Sequence, residues 1–406
     1  MKLLKKIVSV VLIICTLFLS SCNGKDATDE NPENATDTGE GITSPIPEKN
    51  RFDGISVLFL LSADKTSEGL GAELQKKNLD SLFSETDYAS LTEEKKYNIN
   101  TEDFYSARAA ADEAIKNGSN IIFASGSSFS LLTEELAEEY PDITFFCCDG
   151  TESNGTNLFY YSAKIYEAFY LAGVAAGLES RTNRIAFVAE RETQPALVFS
   201  SANAFCLGAK AVKPDISVYF KSADNEVTTQ SAIMRLSSAG CDIFAGNFAE
   251  EETYNTFKLI GRKAFSFGEK NMPVCNENII GNIYTDFSDF FRKTINYIAD
   301  GNSEEIKNYY SGISDDTVGL SLYTNTLTNK NTVLFVNKIT ELIEKKNYKI
   351  FSGYKVSFNS DGEIEIYEDK LISDNGDIIL SEGGYALGDA EIRNTMNFFT
   401  EGITVR

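Results

Sequence analysis

Two doubly wound α/β lobes in tandem are the fold class this sequence predicts, and three observations carry the prediction. Short unbroken apolar runs alternate with amphipathic stretches at helical spacing. That rhythm runs through once and then restarts after a long small-residue helix near residues 164–178. The body beyond residue 50, ~355 residues, is more than one hydrophobic core usually serves. The composition of the full 406-residue chain, 42% hydrophobic and 24% charged, is that of an ordinary globular protein.

The first unit opens with ISVLFLL at 55–61, a run continuous enough to be a strand buried on both faces. A helix is expected over 69–83. A second over 102–117 carries Ala107, Ala110, Ala111, Ala114 and Ile115 at helical spacing and stops at Gly118. Strands at 121–124 and 143–148 flank a helix at 131–140 that ends at Pro141. This β-α-β-α-β order implies parallel strands with crossover helices on both faces. After the 164–178 helix come strands at 185–189, 216–220, 242–245 and 264–267, with helices near 202–212, 227–239 and 250–261. The last residues change pattern: 349–370 alternates around Asn359-Ser360-Asp361-Gly362, a hairpin signal.

The N-terminus reads as a lipoprotein signal. Lys2, Lys5 and Lys6 precede an apolar run at 7–19, and Leu19-Ser20-Ser21-Cys22 resembles a lipobox, making Cys22 the diacylated first residue of the mature chain. The apolar run is shorter than the ~18–20 residues a spanning helix needs, whereas two acyl chains hold a protein on a bilayer at ~0.8 kcal/mol per buried methylene. Residues 22–50 are polar and nearly free of large apolar side chains, a flexible tether with a reach of about 30 Å.

Composition also excludes classes of function. A net charge of −23 argues against a nucleic-acid partner. With no histidine in the chain, Ser-His-Asp and Cys-His catalysis are removed, as is the commonest transition-metal ligand. Of seven cysteines, Cys15 leaves with the signal and Cys22 is the anchor. Cys147, Cys148, Cys206, Cys241 and Cys275 form no CxxC pair and read as small hydrophobes, so neither a metal site nor a cofactor is expected. No paired-acid motif, nucleophile elbow or phosphate loop points to an enzyme.

Residues 157–215 are specific enough to suggest a family. The helix YEAFYLAGVAAG at 166–177, then Asn203-Ala204-Phe205 with Gly208-Ala209 and Pro214-Asp215, resembles the basic membrane protein family. Glu139-Tyr140-Pro141-Asp142, the 350–370 hairpin and Met396-Asn397-Phe398-Phe399-Thr400-Glu401-Gly402 agree in order. The resemblance implies a substrate-binding lipoprotein of an ABC importer with a type I periplasmic-binding-protein fold. Its two lobes would be joined by three hinge strands and would close on a small-molecule ligand, a purine nucleoside or base. The implied partners are ABC permease subunits and the membrane, through the anchor; the implied state is a monomer on the extracytoplasmic face of the cell membrane. The expected division is 51–161 plus 279–311 for the first lobe and 162–278 plus 312–406 for the second. A ligand sensor with the same fold is the alternative. Two stretches depart from the family pattern where its ligand contacts lie. Ala264-Phe265-Ser266-Phe267-Gly268-Glu269 lacks the first acid of a usual pair, and the loop after the first strand offers Asp64 without an aromatic neighbour.

In open α/β sheets ligands bind outside the carboxyl ends of the strands. A planar base needs aromatic faces and acceptors for its edge. The candidates are therefore Asp64, Ser127, Ser128, Phe129 and Asp149 from the first lobe, with Tyr161 and Tyr166 at the crossover. The second lobe offers Phe205, Asn247, Phe248 and Glu269. Each has a structural reading too: Phe129 as a helix staple, Tyr166 and Phe205 as core, Asp64, Asp149 and Asn247 as caps, Glu269 as a solvated charge.

Overall fold

The computed structural model describes residues 51–63, 67–85, 88, 92–97, 101–190, 195–223, 227–248, 250–274 and 276–406. The signal, the tether, Cys22, Asp64 and Cys275 lie outside these residues.

The first lobe contains β1 (Val57–Ser62), α1 (Ser67–Phe83), β2 (Thr92–Tyr97), α2 (Thr101–Lys116), β3 (Ile121–Ala124), α3 (Ser130–Glu139), β4 (Thr144–Cys148) and β5 (Leu158–Ala163). The second contains α4 (Ile165–Glu179), β6 (Arg184–Ala189), α5 (Pro195–Val212), β7 (Ser217–Ser222), α6 (Thr229–Ser238), β8 (Ile243–Ala245), α7 (Glu251–Ile260), β9 (Lys263–Gly268) and β10 (Ile279–Thr285). The chain returns to the first lobe with α8 (Ser288–Ala299) and β11 (Tyr309–Ser311). It ends in the second with β12 (Val318–Leu322), α9 (Thr332–Glu344), two small hairpins, β13 (Tyr354–Phe358) with β14 (Ile364–Glu368) and β15 (Leu371–Ile372) with β16 (Ile378–Leu380), and then β17 (Ile403–Val405).

One sheet runs β11-β5-β4-β3-β1-β2 and is parallel throughout. The other runs β12-β10-β9-β8-β6-β7-β17, with only β12 antiparallel. The unbroken apolar runs follow from burial on both faces. Val57, Phe59 and Leu61 pack towards Phe290, Phe291 and Ile295 of α8, while Leu58 and Leu60 pack towards Ala107, Ala111 and Leu132 of α2 and α3. The second sheet repeats the device, with Ile185 and Phe187 on one side and Ala186 and Val188 on the other. The chain crosses between sheets after β5, after β10 and after β11, which gives the three hinge segments of a type I periplasmic-binding-protein fold. Backbone bonds lace the crossings together: Lys164 N–H donates to Ser311 O (2.7 Å) and Asp286 N–H to Thr317 O (2.8 Å).

Two of the differences from the sequence reading concern how the sheets are built. β10, expected with the first lobe, belongs to the second sheet, and the return crossing falls at Asp286-Phe287; its apolar run carries no mark of which sheet it joins. β2, TEEKKY, has no apolar alternation to announce it and pairs along β1 as an edge strand. The 349–370 hairpin forms as expected, its turn held by Asn359 Oδ1 accepting the N–H groups of Asp361 and Glu363.

Candidate functional site

The strand order reverses at β1/β3 in one sheet and at β6/β8 in the other, and the carboxyl ends of both sheets face one cleft. The cleft encloses about 730 Å³ of empty space, part of it open to solvent. The first lobe contributes Glu68, Gly71 and Gln75, which share one face of α1 at i, i+3 and i+7, together with Ser125 and Ser127 after β3 and Cys148 and Asp149 at the end of β4. Ala163, Ile165, Thr285 and Phe287 come from the crossings, and Leu197, Asn247 and Phe267 from the second lobe.

Asp149 sits at the foot of the cleft with a left-handed backbone (φ 52°), a strained conformation that tends to persist at functional sites. Its carboxylate accepts the Ser162 hydroxyl. Burial pushes its pKa up, against the opposing pull of that hydrogen bond and of the Arg393 charge. Arg393 lies over the Tyr160 ring at 4.0 Å and donates to Gly150 O, so the C-terminal segment grips the loop that carries Asp149. Gln75 forms part of the floor: its Nε2 donates to Ser125 O (3.0 Å) and its Oε1 accepts Tyr161 OH (2.6 Å). Across the cleft, Asn247 Oδ1 is buried and has no hydrogen-bond partner among the described residues. An unpaired buried acceptor costs about 1–3 kcal/mol, which a ligand donor would recover.

Of the residues expected from sequence, Ser127, Asp149 and Asn247 line this cleft. Ser128 stands behind it and donates its hydroxyl to Glu68. Phe129, Phe205 and Phe248 are fully buried in the cores, where aromatic side chains at a helix start or on a helix's inner face pack against a sheet. Tyr161 is likewise buried; its hydroxyl donates to Gln75 and its ring packs edge-on against Phe287, with 5.2 Å between centroids. Tyr166 packs on Phe351 (5.2 Å between centroids) and lines a separate cavity. Glu269 is exposed and pairs with Lys77 of α1, an ion pair that joins the two lobes. Glu68, Gln75, Phe267 and Phe287 are among the cleft residues the sequence reading missed. Phe267 ends an apolar strand, where the last side chain can face the ligand as readily as the loop beyond it. Glu68 reads from sequence as an ordinary acid in a helix's first turn.

Comparison with known proteins agrees with this geometry. TsgA13 of Haloferax volcanii, provisionally named an ABC transporter glucose-binding protein, is 26% identical over 191 residues, covering 46% of this chain and 47% of its own. The ABC transporter nucleoside-binding protein BmpA of Lactococcus lactis is 25% identical over 182 residues, 41% of this chain and 51% of its own. The matches to both thus span about half the length of each relative. A solved ABC transporter solute-binding protein from Aeropyrum pernix shares the fold with a TM-score of 0.58 at 14% identity, covering 75% of this chain and 93% of its own. The family of PnrA-like ABC transporter substrate-binding proteins matches residues 65–360. That match covers most of the chain, and this chain belongs to the family.

Proposed function

We propose that this chain is a lipid-anchored extracytoplasmic receptor that captures a purine nucleoside or base between its lobes and hands it to an ABC permease. The observation that carries the reading is the pairing of acceptors from opposite lobes in one cleft: Asp149 from the first and the orphaned Asn247 Oδ1 from the second. A ligand whose donors meet both is bound fully only when the lobes are closed, so binding biases the hinge. Phe267 and Phe287 offer aromatic surface to a planar ring. BmpA's name, nucleoside-binding, supports a nucleoside, and TsgA13's, glucose-binding, makes a sugar the competing ligand class. The role needs no reaction, and the protein works by capture and release.

Calorimetric titration with a panel of purine nucleosides, bases and sugars tests the ligand class. Saturable one-to-one binding of a purine is expected; binding of sugars alone would refute the purine reading. The anchor rests on the lipobox resemblance at Cys22. Cys22→Ala is expected to move the protein from the membrane to the soluble fraction, and an unchanged distribution would remove the anchor from the account.

A further inference from the structure

We infer that Glu68 selects the ligand: its carboxylate is a fixed fork for two adjacent N–H donors, so the solute carries such a pair. The edge of a 2-amino-6-oxopurine presents one, and so does a guanidinium. The inference deepens the capture reading above and rests on it.

The fork is held in place from below. Ser127 Oγ donates to Glu68 Oε2 (3.2 Å) and Ser128 Oγ to Oε1, one hydroxyl to each oxygen. Each carboxylate oxygen can accept more than one donor, so the serines orient the group without exhausting it. The backbone leaves room for it only because residue 126 is glycine: a Cβ there would lie 2.4 Å from Glu68 Cδ. A carboxylate with both oxygens tethered is pre-organised for a two-point contact, the geometry that makes paired N–H donors bind strongly.

The rest of the cleft points the same way. Both ends of the Gln75 amide are occupied, by Ser125 O and by Tyr161 OH. Asp149 already accepts Ser162, and Asn247 Oδ1 waits for a donor. Among the described lining residues there is no Lys or Arg. Lys77, two residues beyond Gln75 on α1, is paired with Glu269. A phosphate or carboxylate on the ligand would therefore meet two carboxylates without a described counter-charge among the lining residues. Adenine sets a ring lone pair beside its amino group, and hypoxanthine has one N–H beside a carbonyl. Against the fork adenine turns that lone pair towards a carboxylate oxygen, while hypoxanthine meets one oxygen with its N–H and offers the other only a C2–H, and a site built for a hydrogen bond rejects an analogue that cannot make it.

The test titrates the full chain and its Glu68→Gln variant with guanosine, with inosine, which lacks the 2-amino group, and with butylguanidine, which has the donor pair but no purine. The wild type is expected to bind guanosine about tenfold or more tightly than inosine, and Glu68→Gln to bring that ratio close to one with an unchanged unfolding midpoint. Because the ratio compares two ligands on the same protein, a loss of folded material does not imitate the effect. Equal binding of guanosine and inosine by the wild type, or a preference that survives in Glu68→Gln, overturns the inference and leaves the purine reading intact. Binding of butylguanidine but of neither nucleoside, lost in Glu68→Gln, upholds the fork and refutes the purine. Binding of none of the three refutes both.

Discussion

Glu179→Ala is expected to lower the stability of the second lobe by about 3–5 kcal/mol, the usual consequence of removing one partner from a buried ionic network. The Glu179 carboxylate is wholly buried at the last residue of α4, where the helix dipole disfavours an anion. Five donors hold it: Lys263 Nζ (2.9 Å), Thr328 N–H (2.8 Å) and Thr328 Oγ1 (2.7 Å) on one oxygen, Asn329 N–H and Thr332 Oγ1 (2.9 Å each) on the other. The network fixes the start of α9 and the first residue of β9 against the end of α4. Alanine would strand two backbone N–H groups and a lysine. Burial alone would raise the pKa of Glu179, but these hydrogen bonds outweigh it and bring the value down to about 2. A depressed carboxylate pKa contributes stability that is complete above the ordinary value of 4.5 and is lost as pH falls through that range to about 2. Urea unfolding of both proteins should therefore show a large gap at pH 7 that narrows steadily below pH 4.5. A gap independent of pH would contradict the ionic account.

Gly208→Val is expected to cost about 3 kcal/mol or more, with most of the protein failing to fold if the helices cannot separate. α4 and α5 cross backbone to backbone. A Cβ on Gly208 would lie 2.0 Å from Tyr170 O, and one on Gly173 would lie 2.1 Å from Phe205 O. Backbone carbonyls cannot rotate out of the way as a side-chain tip can, so the helix pair must part, opening the core that Phe169, Val174 and Phe205 share with Phe187. Far-ultraviolet circular dichroism with thermal melting of the variant measures the loss. A melting temperature within a degree or two of wild type would show that the close crossing does not contribute.

The architecture was largely legible because its signals are strong. Runs such as Ile121 to Ala124 are apolar at every position, and only a strand covered on both faces needs that. β2 was not legible, because an edge strand requires no apolar pattern and TEEKKY offers none. The site was legible where topology alone decides: Asp149 and Asn247 follow strands whose carboxyl ends must face the cleft. It was not legible where tertiary packing decides. Phe129 and Tyr161 occupy the right loops and strands, but their rings turn into the core of the first lobe. Glu68 enters the cleft because α1 docks with that face towards Ser127 and Ser128, a fact of packing that its own sequence does not contain.

The central claim is that a solute is held between the lobes by groups from both. Calorimetric titration of the wild type beside Asn247→Leu, with a purine nucleoside as titrant, tests it most directly. Leucine removes the orphaned acceptor from the second lobe while the first-lobe contacts stay in place. The account predicts one site per chain in the wild type, and affinity reduced about tenfold or more in the variant at an unchanged melting temperature. Equal affinity in the two proteins would contradict it, as would heat from steady conversion of the nucleoside.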